Sequence, residues 1–146
     1  MKSILICLLL GLSFSYNKIG AINYALKYCN NYNPEYNNYK DKGEEESANF
    51  VSQCISVGGG QDLTGCKGLD DKGMIPNSSN LKKCLISKGW KKNGLTISKG
   101  YPIFTKVNSY AMFMTNVGTD GILYCSHAPD RCKARTNHIS VDIYTP

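Results

Sequence analysis

Arginine and histidine are scarce in this chain of 146 residues. Arg131 and Arg135 are its two arginines, so the net charge of +6 rests on lysines scattered among tyrosines and asparagines. A nucleic-acid surface asks for a basic stripe rich in arginine, and this distribution leaves only a weak attraction to anionic surfaces. The two histidines, His127 and His138, have no paired spacing with carboxylates or with a Cys-x-x-Cys, which argues against a zinc site. Gly58 to Gly60 is followed by Gln61 and no Lys-Ser or Lys-Thr pair, so the phosphate-cradling glycine motifs are absent as well. No metal or cofactor is expected. Internal repeats and low-complexity tails are missing, and no stretch reaches the ~20 apolar residues of a membrane-spanning helix.

What is present begins with a leader. Lys2 precedes an apolar run from Ile4 to Leu12, and Ser13 and Ser15 then flank Phe14. That is the order of a secretory signal peptide. Cleavage after Ser15 makes residues 1–15 the leader and 16–146 a single mature domain, secreted to the extracellular space, with a net charge of about +5 once Lys2 is gone. Cys7 leaves with the leader, and Cys29, Cys54, Cys66, Cys84, Cys125 and Cys132 remain. An even count suits a closed disulfide framework, although six cysteines allow about fifteen pairings. Buried free thiols are the alternative. About 130 residues can bury a core of their own, so bridges supplement packing rather than replace it.

Apolar residues Ile22, Ala25, Leu26 and Cys29 recur at helical spacing, with Tyr24 and Tyr28 on the flank, and predict a first helix over Gly20 to Cys29. Asn30 to Gly43 reads as an exposed loop containing Pro34. Glu44 to Glu46 lead into a second helix, with Phe50, Cys54 and Val57, or Val51 and Ile55, on its inner face. Gly58 to Gly60 end it, since glycine takes the left-handed conformation of a helix C-terminus. Gln61 to Asn80 is irregular and bracketed by Cys66 and Cys84, and a short helix from Ser79 closes at Gly89. After Trp90 the pattern changes to short aromatic and β-branched runs at Tyr101 to Phe104, Tyr110 to Val117, Gly121 to Cys125 and Ile139 to Tyr144. Helices followed by strands predict an α+β domain, the N-terminal helices packed on a C-terminal antiparallel sheet and stapled by disulfides. The preferred pairings are Cys29 with Cys54, Cys66 with Cys84 and Cys125 with Cys132. Asn77-Ser78-Ser79 is a glycosylation sequon.

The stretch Glu46-Ser47-Ala48-Asn49-Phe50-Val51-Ser52-Gln53-Cys54, with Gly58 and Gly59 after it, resembles the start of the putative amidase domain family, which belongs with the papain-like NlpC and CHAP cell-wall hydrolases. The family's version reads Asp-Cys-Thr-Asn-Phe-Val-Ser-Gln, with the nucleophilic cysteine opening a helix, and Asn49 to Gln53 match it without a break. Ser109 to Thr115 resembles the strand that opens with the catalytic histidine. Tyr124 to Arg131 resembles a Tyr-Ser-x-His-x-x-Asp-Arg stretch. Roughly Ala21 to Arg131 is covered, and the resemblance implies a papain-like, NlpC-like fold and hydrolysis of amide bonds.

The resemblance puts Ser47 in the place of the cysteine and Tyr110 in the place of the histidine. A thiol at a helix N-terminus gains its thiolate from the dipole and a neighbouring base; a serine hydroxyl depends wholly on that base. Tyr110 supplies none, because a phenol with a pKa near 10 is protonated at pH 7. His127 stands where related peptidases carry an orienting histidine. It reads either as a base for Ser47 or as a residue that makes a local hydrogen bond between Cys125 and Cys132. Ser47 has its own structural reading, a helix N-cap beside the favourable charges of Glu44 to Glu46.

Three functions follow. The first is a secreted, inactive amidase-like pseudoenzyme that binds a peptidoglycan, glycan or peptide ligand, with Tyr32, Tyr36 and Tyr39 as stacking surface. The second is an active amide-bond hydrolase using Ser47. The third is a disulfide-rich structural or toxin-like protein, recognised by a site filled with its own side chains.

Overall fold

A computed structural model of the chain describes residues 15–92, 97–136 and 140–146. The leader before Ser15 lies outside the described residues, as does His138. Helix α1 spans Lys18–Tyr28, opened by Asn17, whose side chain accepts the Gly20 N–H at 2.9 Å. Ala21, Ile22, Tyr24 and Ala25 are its buried residues, close to the expected face. Helix α2 spans Glu44–Gln53 and runs on into a wider π turn over Cys54–Gly58. Helix α3, Ser78–Ser87, is opened by Asn77, which accepts the Asn80 N–H at 2.9 Å. Among the described residues no helix is long and apolar enough to cross a membrane.

Among the described residues six strands form one sheet: β1 Lys91–Lys92, β2 Pro102–Thr105, β3 Ala111–Gly118, β4 Gly121–Ser126, β5 Arg131–Thr136 and β6 Val141–Thr145. Their order is β1-β6-β2-β3-β4-β5, and every neighbouring pair is antiparallel. Alternation along the strands sends Phe104, Ala111 and Phe113 into a core shared with Ala21, Ala48, Phe50, Val51 and Leu81, while Ile103, Met112, Met114 and Ile143 form a second cluster. The α+β architecture is thus the expected one.

Helix α2 departs from the expected single inner face. Every residue from Glu46 to Ile55 is buried, and Val57 is the one left out, 42% exposed. Helix α1, α3 and the sheet enclose α2 together, so a two-faced pattern was not required of it. Its end also differs in detail. Of the three glycines only Gly60 has a positive φ, +74°. Gly58 serves packing instead: a Cβ there would lie 2.6 Å from Cβ of Tyr24 and 2.8 Å from Cα of Ala21, so its absence lets α1 settle onto the π turn.

The cysteine framework corrects two pairings. Cys66 and Cys84 are bridged as expected, with Cα atoms 5.3 Å apart. Cys29, however, pairs with Cys132, at 5.2 Å, and Cys54 and Cys125 are buried free thiols. The π turn that carries Cys54 packs beside Gly20, Ala21 and Tyr24, at the opposite end of α1 from Cys29. Cys29 caps the other end, where β5 brings Cys132. The Asn30 to Gly43 segment is less exposed than expected as well, because Asn33 is buried and donates to the Tyr24 hydroxyl at 2.9 Å.

Candidate functional site

The N-terminus of α2 meets the start of β3 and the end of β4. Gly43, with φ +45°, is the residue before the helix, and Glu44, Glu45 and Glu46 make its first turn. Ser47 is therefore not the N-cap. It lies one turn in, donating its N–H to the Gly43 carbonyl at 3.1 Å. Its hydroxyl donates to the Glu44 carbonyl at 2.8 Å and accepts the Ala111 N–H at 3.3 Å. The side chain thus ties α2 to β3, and the residue is 0% exposed.

Tyr110 precedes Ala111 and is half-buried. Its N–H donates to Oγ1 of Thr105 at 2.9 Å, and its hydroxyl donates to the carbonyl of His127 rather than to Ser47. Burial pushes the phenol up to about 12, with the Ser126 side chain pulling the other way. At neutral pH it is a donor.

His127 is 1% exposed. Its ring lies between Phe50 and Tyr32, with centroids 4.0 and 4.2 Å away. Nδ1 stands 2.7 Å from Oε1 of Glu46, and Nε2 stands 2.7 Å from the carbonyl oxygen of Tyr28. A carbonyl can only accept, so Nε2 carries a proton. Nδ1 is hydrogen-bonded to the Glu46 carboxyl. The second carboxylate oxygen, Oε2, accepts the Tyr39 N–H at 2.6 Å and an Asn49 amide hydrogen at 3.4 Å. Both ring nitrogens are spent, and neither faces Ser47. The local hydrogen bond expected between Cys125 and Cys132 is replaced by two long-range ones.

The structure gathers all three expected residues at one corner. Ser47 holds the amide next to Tyr110, Tyr110 holds the carbonyl of His127, and His127 pairs with Glu46, the neighbour of Ser47. From the sequence, Glu46 is expected only as one of the favourable charges at the start of α2. Its signal was available: it occupies the acidic position just before the nucleophile in the family pattern. Tyr32 and Tyr39 also take part. Tyr32 covers His127 and donates its hydroxyl to Asp130 at 2.8 Å, while the Tyr39 hydroxyl donates to Asp70 at 3.1 Å.

A family model described as Putative amidase domain matches residues 15–137. The chain belongs to this amidase family. The family's match begins at Ser15 and reaches past β5, so it takes in the whole corner. A curated relative, "Uncharacterized protein YhbB" of Bacillus subtilis (strain 168), is 43% identical over 49 residues, which are 34% of this chain and 14% of that protein. The chain therefore matches only a small part of that relative's length. No solved structure matches.

Proposed function

We propose that this chain is a secreted, catalytically inactive member of the amidase family that binds a glycan or peptide of the cell-wall type. The observation that carries the inactivity is the state of His127, with both nitrogens committed and both ring faces covered. General-base catalysis needs a free nitrogen within hydrogen-bond reach of the nucleophile. Ser47 adds a second obstacle, since a hydroxyl at 0% exposure meets no substrate carbonyl. The papain-like kinship is supported by the arrangement itself: a helix that begins beside Ser47 packs against a strand that begins beside Tyr110.

Ligand binding then belongs elsewhere. An open groove of about 430 Å³ runs along α1, lined by Asn23, Tyr24, Lys27, Tyr28, Asn33 and Glu35 among others. The Tyr24 and Tyr28 rings lie 4.7 Å apart, and the Lys27 ammonium sits 4.8 Å from the Tyr28 centroid. Aromatic faces beside amide and charged groups suit sugars and short peptides. Tyr24 and Asn33 are buried and bonded to each other beneath this groove, so Tyr28, Asn23, Lys27 and Glu35 offer its contact surface, and Tyr32 is less suited because a ring face is already covered by His127.

Calorimetric titration with a soluble peptidoglycan fragment tests this reading. Saturable heat that Tyr28→Ala weakens at least tenfold is expected. Absence of heat, or binding that Tyr28→Ala leaves unchanged, refutes the groove and favours the third reading, a disulfide-stapled structural protein whose filled corner is only core.

A further inference from the structure

A free thiol lies against a disulfide in this fold. The sulfurs of Cys29, Cys125 and Cys132 are all within 4.8 Å of one another, and Cys29 and Cys132 are bonded while Cys125 is not. The β4–β5 pairing explains the approach. Tyr124 pairs with Ala134 and Ser126 pairs with Arg131, so one residue of β4, Cys125, faces two of β5, Cys132 and Lys133. This is a β-bulge. Lys133 takes the left-handed conformation, φ +54°, which lets the bulge form. Cys29, at the end of α1, reaches the same point from above the sheet.

We propose that Cys125 and the Cys29–Cys132 bridge form an internal thiol–disulfide exchange unit that releases Cys132 as a reactive surface thiol, a modification site for small disulfides. Cys125, buried in the closed fold, gives its proton to hydroxide when the β4–β5 bulge opens and attacks Sγ of Cys29. A Cys125–Cys29 bond forms, the Cys29–Cys132 bond breaks, and the electron pair leaves on the sulfur of Cys132. No oxidant or reductant is consumed. The released thiolate then attacks a small disulfide, giving a mixed disulfide at Cys132 and one equivalent of free small thiol.

The direction follows from the surroundings. A better leaving thiol is one whose anion is better stabilised. Cys132 is the partly exposed member of the three, where water can reach its anion, whereas Cys29 and Cys125 are buried. Burial raises the Cys125 thiol above its ordinary range, opposed by the Lys133 amide and ammonium, so exchange is slow near neutrality and quickens in mild base. Cys54, the other free thiol among the described residues, is buried in the core, and burial raises it well above the usual range.

The test uses the intact oxidised protein incubated with oxidised glutathione at about pH 8.5, quenched in acid and mapped without reduction. One glutathione on Cys132 together with a Cys29–Cys125 bond is expected, and Cys125→Ser should abolish uptake at Cys132. Glutathione on Cys125 or Cys54 with Cys29–Cys132 intact overturns the proposal, as does no uptake at all. The map of the unsubstituted protein decides the question even where Cys125→Ser fails to fold.

Discussion

Nδ1 of His127 and Oε1 of Glu46 stand 2.7 Å apart with both side chains withdrawn from solvent. The pair joins the loop after β4 to the first turn of α2, across 81 positions of sequence. Each partner has further hydrogen bonds, from the Tyr39 amide to the carboxylate and from Nε2 to the Tyr28 carbonyl. A buried hydrogen-bonded pair satisfied in this way is costly to break from one side, because the remaining polar partner is left without its hydrogen bond.

Removing either member alone should therefore cost about 1–3 kcal/mol. Urea unfolding of Glu46→Ala, His127→Ala and the double variant measures it. The double variant should lose clearly less than the sum of the singles. Additive losses would mean that the two side chains act separately.

Tyr110 gives a pH dependence. Its phenol ionises near pH 10 in the unfolded chain and is held up to about 12 in the folded one. The neutral form is the one the fold favours, so its contribution is complete below about pH 10 and is lost as pH rises towards 12. Thermal unfolding should show stability falling over that window, and Tyr110→Phe should fall less steeply than the parent. Equal slopes would remove Tyr110 from the alkaline transition.

The two bridges close loops of different length, with separations of 18 and 103 residues. Loop entropy assigns about 3 kcal/mol to the shorter and between about 4 and 5 kcal/mol to the longer. Paired Cys→Ser substitutions at Cys29 and Cys132 should thus lower the urea midpoint more than those at Cys66 and Cys84. The reverse order would show that native-state strain outweighs chain entropy.

The α+β order was legible because α1, α3 and the aromatic strands carry their own periodicities. Strand β5 was not, since Arg131, Lys133 and Arg135 alternate with Cys132 and Ala134 and resemble a charged loop. That composition suits the exposed edge it forms beside β4. Strand β1, Lys91–Lys92, was too short to show a pattern. The positions of Ser47, Tyr110 and His127 near one corner followed from the family pattern, but the partner of His127 did not, because no local spacing links residue 46 to residue 127. The same limit governs Cys29 and Cys132: pairings close in sequence or between adjacent helices are easier to expect than one that depends on where β5 lies.

We propose that this corner holds the fold together and performs no hydrolysis. Release of amine from peptidoglycan and from peptide amides, compared between the protein and Ser47→Ala, tests it most directly. Both should stay at the uncatalysed background, with Ser47→Ala differing only by a stability loss of about 1–2 kcal/mol from the orphaned Ala111 amide. Turnover by the unsubstituted protein that Ser47→Ala abolishes would contradict it.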